Sequence, residues 1–183
     1  IAELARRAGK DPLDFMLDLA LGEELDTIFT AVLLNSDEDA VGRMLQHPYA
    51  NIALSDAGAH LTFFCDAGFG LHLLGHWVRR RGVMPMERAI HHLTGRPAQI
   101  FGIQDRGVLA VGKAADLMLF DPTTIDRGEK RRVHDLPGGA PRLTTPAIGL
   151  HGVWVNGRRI VAADGSLISG DTLPGKLLKR FSA

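Results

Sequence analysis

The sequence holds a single cysteine, Cys65, so no internal disulfide can form. That fits a reducing compartment, and the cytoplasm is the expected location. No apolar run approaches the ~20 residues a bilayer-spanning helix needs, so no membrane partner is expected. Net charge is also absent, because 21 Lys and Arg balance 21 Asp and Glu. Without a basic excess the chain lacks the electrostatic footprint of a nucleic-acid binder. The basic cluster Arg79-Arg80-Arg81 is short, has no interleaved aromatics, and reads as a solvated helix end. Neither a phosphate loop nor a dinucleotide fingerprint occurs, and no serine sits in a nucleophile-elbow context. The first residue is Ile1 rather than Met, and the chain runs straight into a helix-like pattern. The expectation is therefore a piece of a longer polypeptide.

What is present reads first as alternating helix and strand. Asp11-Pro12 is an N-cap followed by proline at the first helical position, where the missing N–H costs nothing. Leu13, Met16, Leu17 and Ala20 then recur at helical spacing. Thr27 to Leu34 is an apolar run that reads as a buried strand, and Ser36 with Asp39 resembles a capping box opening a helix that Pro48 stops. Ile52 to Leu54 is a short apolar strand leading into Ser55-Asp56-Ala57-Gly58. Buried strands alternating with helices predict parallel α/β architecture. Residues 69–104 turn helical, with Leu71, Leu74 and Val78 on one face and Ala89, Ile90 and Leu93 on another. Past Gly102 the pattern becomes β: a strand over Ala115–Phe120 ended by Asp121-Pro122, then Val153–Val155 turning at Asn156-Gly157 into Arg158–Val161. Residues 123–149 show little periodicity, which leaves either a loop over a larger body or an ordered excursion.

Several residues could carry chemistry. Asp56 follows an apolar strand, and strand C-termini form the active site of (β/α) barrels. The alternative is an Asp that caps the turn before Gly58. His60 lines the same pocket or caps the loop. Asp66 repeats the Asp-Ala-Gly motif without a preceding strand and reads as a loop residue. His72 and His76 have a zinc-chelating i, i+4 spacing, yet Leu73 stands where the helical zinc-protease motif needs Glu. His91-His92 reads as a surface or interface pair, and Cys65 as a small buried apolar group.

These segments, taken in order, resemble the amidohydrolase superfamily. Asn51 to His60 (Asn-Ile-Ala-Leu-Ser-Asp-Ala-Gly-Ala-His) is similar to that family's eighth barrel strand with its terminal metal-site Asp. Leu93 to Gly102 looks like the following helix. Asp105-Arg106-Gly107, Gly112 to Asp121, and Val153 to Gly157 look like the return into its small β-domain. Leu74 to Arg79 (Leu-Gly-His-Trp-Val-Arg) looks most like the N-acyl-D-amino-acid deacylase branch.

The resemblance implies an α/β fold. Residues 1–104 would form the C-terminal part of a (β/α)8 barrel including its last strand. Residues 105–183 would form part of a small β-sandwich with a long loop and C-terminal tail. It implies zinc as cofactor, Asp56 as general acid/base and metal-site residue, and His60 as a substrate-facing or second-shell group. The implied partners are a small amide substrate, the N-terminal half of the barrel, and, for a homo-oligomer, a second copy. The family's His-x-His, bridging ligand and mid-barrel histidines do not occur in this sequence. Phe63, Phe64 and Cys65 stand where the deacylases carry the arginine that binds the substrate carboxylate. A non-catalytic structural piece and a cyclic-amide hydrolase or deaminase of the same superfamily are the alternatives.

Overall fold

A computed structural model of the chain describes residues 1–32, 34–53, 55, 57–63 and 65–179. It falls into two compact units, residues 1–38 and 39–183.

The first unit is a pair of helices, α1 (Ala2–Ala8) and α2 (Pro12–Gly22). Gly9 ends α1 in the left-handed region at φ 65°, and the Asp11 carboxylate accepts the Leu13 N–H at 2.8 Å to start α2. Lys10 and Asp18 pair at 2.6 Å across the turn. The run after α2 departs from expectation. Residues 27–32 enter no strand ladder, and Ile28, Val32 and Leu34 are 80 %, 73 % and 80 % exposed. A parallel strand is held by neighbours on both edges, and among the described residues none lies beside this segment.

The second unit is built around helices. Helix α3 (Glu38–Gln46) leads to Pro48 and the stretch before residue 55. Helix α4 (Phe69–His72) continues as a π-helical segment (Leu73–Arg80), followed by α5 (Met86–Leu93) and α6 (Gly95–Ile100). The apolar stripes meet as their spacing predicts. Leu73, Leu74, Trp77, Met84 and Ala89 form a buried core, with Leu71, Val78, Ile90 and Leu93 packed on it. Ile125 completes that core with no exposure, although it lies beyond residue 104. Burying a side chain of that size stabilises by roughly 1.5–3 kcal/mol. Arg88 and Arg96 donate to the carbonyls of Gln46 and Pro48 at 2.7 and 2.5 Å, which ties α5 and α6 to the chain leading towards Ile52. Ile52 itself packs on the core and joins no sheet.

Strands β1 (Leu117–Phe120), β6 (Leu150–Val155) and β7 (Arg158–Val161) form an antiparallel sheet in the order β1-β6-β7. Asn156 (φ 48°) and Gly157 (φ 80°) supply the two left-handed positions of the tight turn between β6 and β7. Asp116 fastens this turn to Arg106, accepting the Asn156 N–H at 2.7 Å and an Arg106 N–H at 2.7 Å.

Residues 123–149 turn out to be the ordered excursion. Strand β2 (Asp126–Arg127) pairs with β5 (Ala147–Ile148), and inside them β3 (Arg131–Val133) pairs with β4 (Arg142–Thr144). The two antiparallel pairs nest as one hairpin. Strands of two and three residues are too short for the alternation that announces longer ones. All paired strands among the described residues are antiparallel, and the architecture is mixed α/β.

Candidate functional site

Asp56, the residue on which the sequence reading centres, lies outside the described residues. Its surroundings are described on both sides. The Ala57 N–H donates to Ser55 Oγ at 3.2 Å, and residues 57–63 form a succession of exposed turns. His60 stands there with φ 52°, a left-handed conformation that costs an L-residue about 1 kcal/mol or more. Its carbonyl accepts the Phe63 N–H at 3.0 Å, and its ring stacks on Phe63 with centroids 5.0 Å apart. His60 is exposed.

Cys65 is buried, as its apolar character predicts, with Sγ 3.7 Å from the Thr145 hydroxyl of the nested hairpin. Asp66 takes a loop position and pairs with Lys130 at 3.2 Å and Arg127 at 3.9 Å. Leu143 N–H donates to Leu61 O at 2.9 Å, and Arg132 donates to Thr62 O at 2.8 Å. The nested hairpin thus lies against the loop that follows residue 56.

The hairpin is anchored at its base by groups that the sequence reading assigned to solvent. Arg80 makes an ion pair with the Asp126 carboxylate, Arg79 approaches that carboxylate at 3.9 Å, and Arg79 also donates to Ile125 O at 2.9 Å. The side chain of Asp126 is only 12 % exposed. Burial alone would raise its pKa. The hydrogen bond from Arg80, the Arg127 N–H and the charges of Arg80 and Arg79 outweigh that and hold the carboxyl below its ordinary value. Arg79, Arg80 and Arg81 are exposed at the helix end as expected, and Arg79 and Arg80 also hold this carboxylate. The partner lies 46 residues away, and no local pattern points to it.

The rings of His72, at the end of α4, and His76, in the π-helical segment, stack nearly parallel, 6° apart with centroids at 4.8 Å. Trp77 and His76 are nearly perpendicular, with ring centroids 4.9 Å apart. Burial, followed by the positive charges of Arg127, His76 and Arg80, pushes the His72 pKa down to about 4. Nδ1 of His72 has no hydrogen-bond partner among the described residues. Expected as a surface or interface pair, His91 and His92 divide: His91 is exposed, and His92 is buried at 3 %. Helical periodicity turns His92 inwards beside Ala89. Burial and then Arg96, Arg88 and His91 lower its pKa.

Among the described residues no three His, Cys, Asp or Glu side chains gather as a metal site. The described donors therefore do not by themselves fit a catalytic zinc, which generally needs three protein ligands. No helix among them is long and apolar enough to cross a membrane.

The chain belongs to the amidohydrolase family, whose model matches residues 1–161. Within the family its relatives lie with the D-aminoacylase branch. It is 30 % identical over 178 residues to an N-acyl-D-aspartate deacylase of Alcaligenes xylosoxydans xylosoxydans, covering 93 % of this chain and 33 % of that protein. It is 34 % identical over 128 residues to an uncharacterised protein of Mycobacterium tuberculosis, covering 67 % of this chain and 21 % of the relative. A solved N-acyl-D-glutamate deacylase of Bordetella bronchiseptica, complexed with zinc and a phosphonate inhibitor, matches 68 % of this chain and 24 % of its own. The identity there is 33 % and the TM-score 0.51. The chain thus spans between about a fifth and a third of the length of these three proteins.

Proposed function

We propose that this chain is the C-terminal part of a zinc-dependent hydrolase that cleaves the C–N amide bond of N-acyl amino acids, the D-series among them. The observation that carries this reading is the family match over residues 1–161, together with a deacylase relative aligned along 93 % of the chain. Residues 1–104 belong to the end of the catalytic barrel and residues 105–183 to the small β-domain. The unladdered, exposed segment around Ile28 and Val32 supports this, since a barrel strand finds its neighbours in the rest of the barrel.

Zinc supplies the Lewis acidity that makes water nucleophilic near neutral pH. Asp56 is the general acid/base: it takes the proton of the attacking water and returns it to the leaving nitrogen as the C–N bond breaks. It is also this chain's contribution to the metal site, and the other ligands come from polypeptide outside this sequence. His60 either faces the substrate or supports the groups that do. The chain alone is inactive, because a lone carboxylate cannot hold catalytic zinc.

The test is Asp56→Asn in the full-length protein under saturating zinc. The expected loss of hydrolysis is about 10²–10⁴-fold. Undiminished turnover would remove Asp56 from the mechanism.

A further inference from the structure

We infer that the nested hairpin of residues 126–148 braces the loop following residue 56, and that Arg132 is a positioning residue for substrate binding. The inference deepens the functional reading above and rests on it for its link to substrate.

The loop's internal bonds are short-range. Phe63 N–H to His60 O and Phe69 N–H to Asp66 O, both 3.0 Å, shape turns without fixing where they sit. Placement comes from the hairpin. Leu143 and Arg132 hold the main-chain carbonyls of Leu61 and Thr62, while Lys130 and Arg127 hold the Asp66 carboxylate. Bonds to carbonyls fix the backbone, which a side-chain contact would not. They act on the two residues directly after His60, whose left-handed φ persists only where its surroundings over-determine it. The far end of the brace is rigid, since Ile125 is fully buried and Asp126 is tied to Arg79 and Arg80. A path of fixed groups therefore runs from the π-helical segment through the hairpin to the loop.

Arg132 is the member that can be removed cleanly, because it is exposed and contributes nothing to the core. The experiment uses the full-length zinc-loaded protein, with N-acetyl-D-glutamate and N-acetyl-D-aspartate as probes. Hydrogen–deuterium exchange and steady-state kinetics are compared for wild type, Arg132→Ala and Arg132→Lys. Losing one charge-assisted bond is expected to speed exchange in a peptide covering residues 57–68 by about tenfold. Exchange in α5 should not change. KM should rise by about tenfold with kcat and zinc content held, and Arg132→Lys should recover most of both effects. Unchanged exchange in the loop would overturn the brace. Faster exchange with unaltered KM would overturn the link to substrate. A wild-type protein that turns over neither probe would defeat the functional reading and that link together, while the exchange data would still decide the brace.

Discussion

Gly75 and Asp126 occupy space that permits no side chain between them: a β-carbon on Gly75 would overlap the carboxyl group of Asp126. The π-helical segment can receive the base of the nested hairpin because this position is bare. Gly75→Ala must displace the carboxylate from Arg80, so overpacking and a weakened ion pair act together. The expected cost is about 2–4 kcal/mol, read from the denaturant midpoint. Gly22→Ala, at a helical position with open space, is the control and should be neutral or stabilising by up to ~1 kcal/mol.

Asp126→Asn keeps the shape and removes the charge. Arg79 and Arg80 then lose their counter-ion, with Arg80 half in solvent at 51 % side-chain exposure. That exposure moderates the penalty, and about 2 kcal/mol of stability should be lost. A salt titration checks the origin, because the share of the wild-type advantage owed to half-exposed Arg80 should shrink as ionic strength rises.

Acid should loosen the second unit in a defined window. In the unfolded chain His72 takes up a proton near its ordinary 6.5, whereas in the fold it resists until about 4. Between those values the unfolded state binds the extra proton, so stability is complete above pH 6.5 and declines as pH falls to about 4. The partial exposure of His72 limits the loss to the order of 2 kcal/mol. His92, lowered by burial and its cationic neighbours, acts in the same direction. The contribution of Asp126 disappears at still lower pH, as its depressed carboxyl protonates. Urea unfolding at pH 7, 5.5 and 4 measures the decline, and His72→Phe should flatten it. An equal slope in that variant would contradict the assignment.

The turn at Asn156-Gly157 depends on backbone freedom. Gly157 holds φ 80° and donates its N–H to Ala115 O at 2.9 Å. Gly157→Ala should cost about 1 kcal/mol, through the left-handed strain alone. Thermal unfolding should shift downwards, without loss of the β6–β7 pairing seen by amide exchange.

Local signals proved legible. The Asp11-Pro12 cap, the Leu71/Leu74/Val78 stripe and the Asn156-Gly157 turn each depend on residues within one or two turns of chain, and each forms as read. Thr27 to Leu34 has the composition of a buried strand, but composition does not report whether neighbouring strands exist. Arg79 and Arg80 looked solvated because Asp126 is remote in sequence, and residues 123–149 looked irregular because their strands are so brief. For the candidate site, the family motif singles out Asp56 and His60. The hairpin that touches Leu61, Thr62 and Asp66 further along is a tertiary fact with no periodic trace. His92 illustrates the converse: its neighbour Ala89 sets a buried face that a doublet of histidines disguises.

The excursion departs from and returns to nearly one point, since Gly149 abuts Thr124 and Ile125 and its carbonyl accepts the Asp121 N–H at 2.8 Å. Such a pinched neck sets the excursion beyond Ile125 and Asp126, which belong to the core and its ion pair, apart from the β1-β6-β7 sheet. Its outer strands β3 and β4 can therefore change in length while the β1-β6-β7 sheet keeps its register.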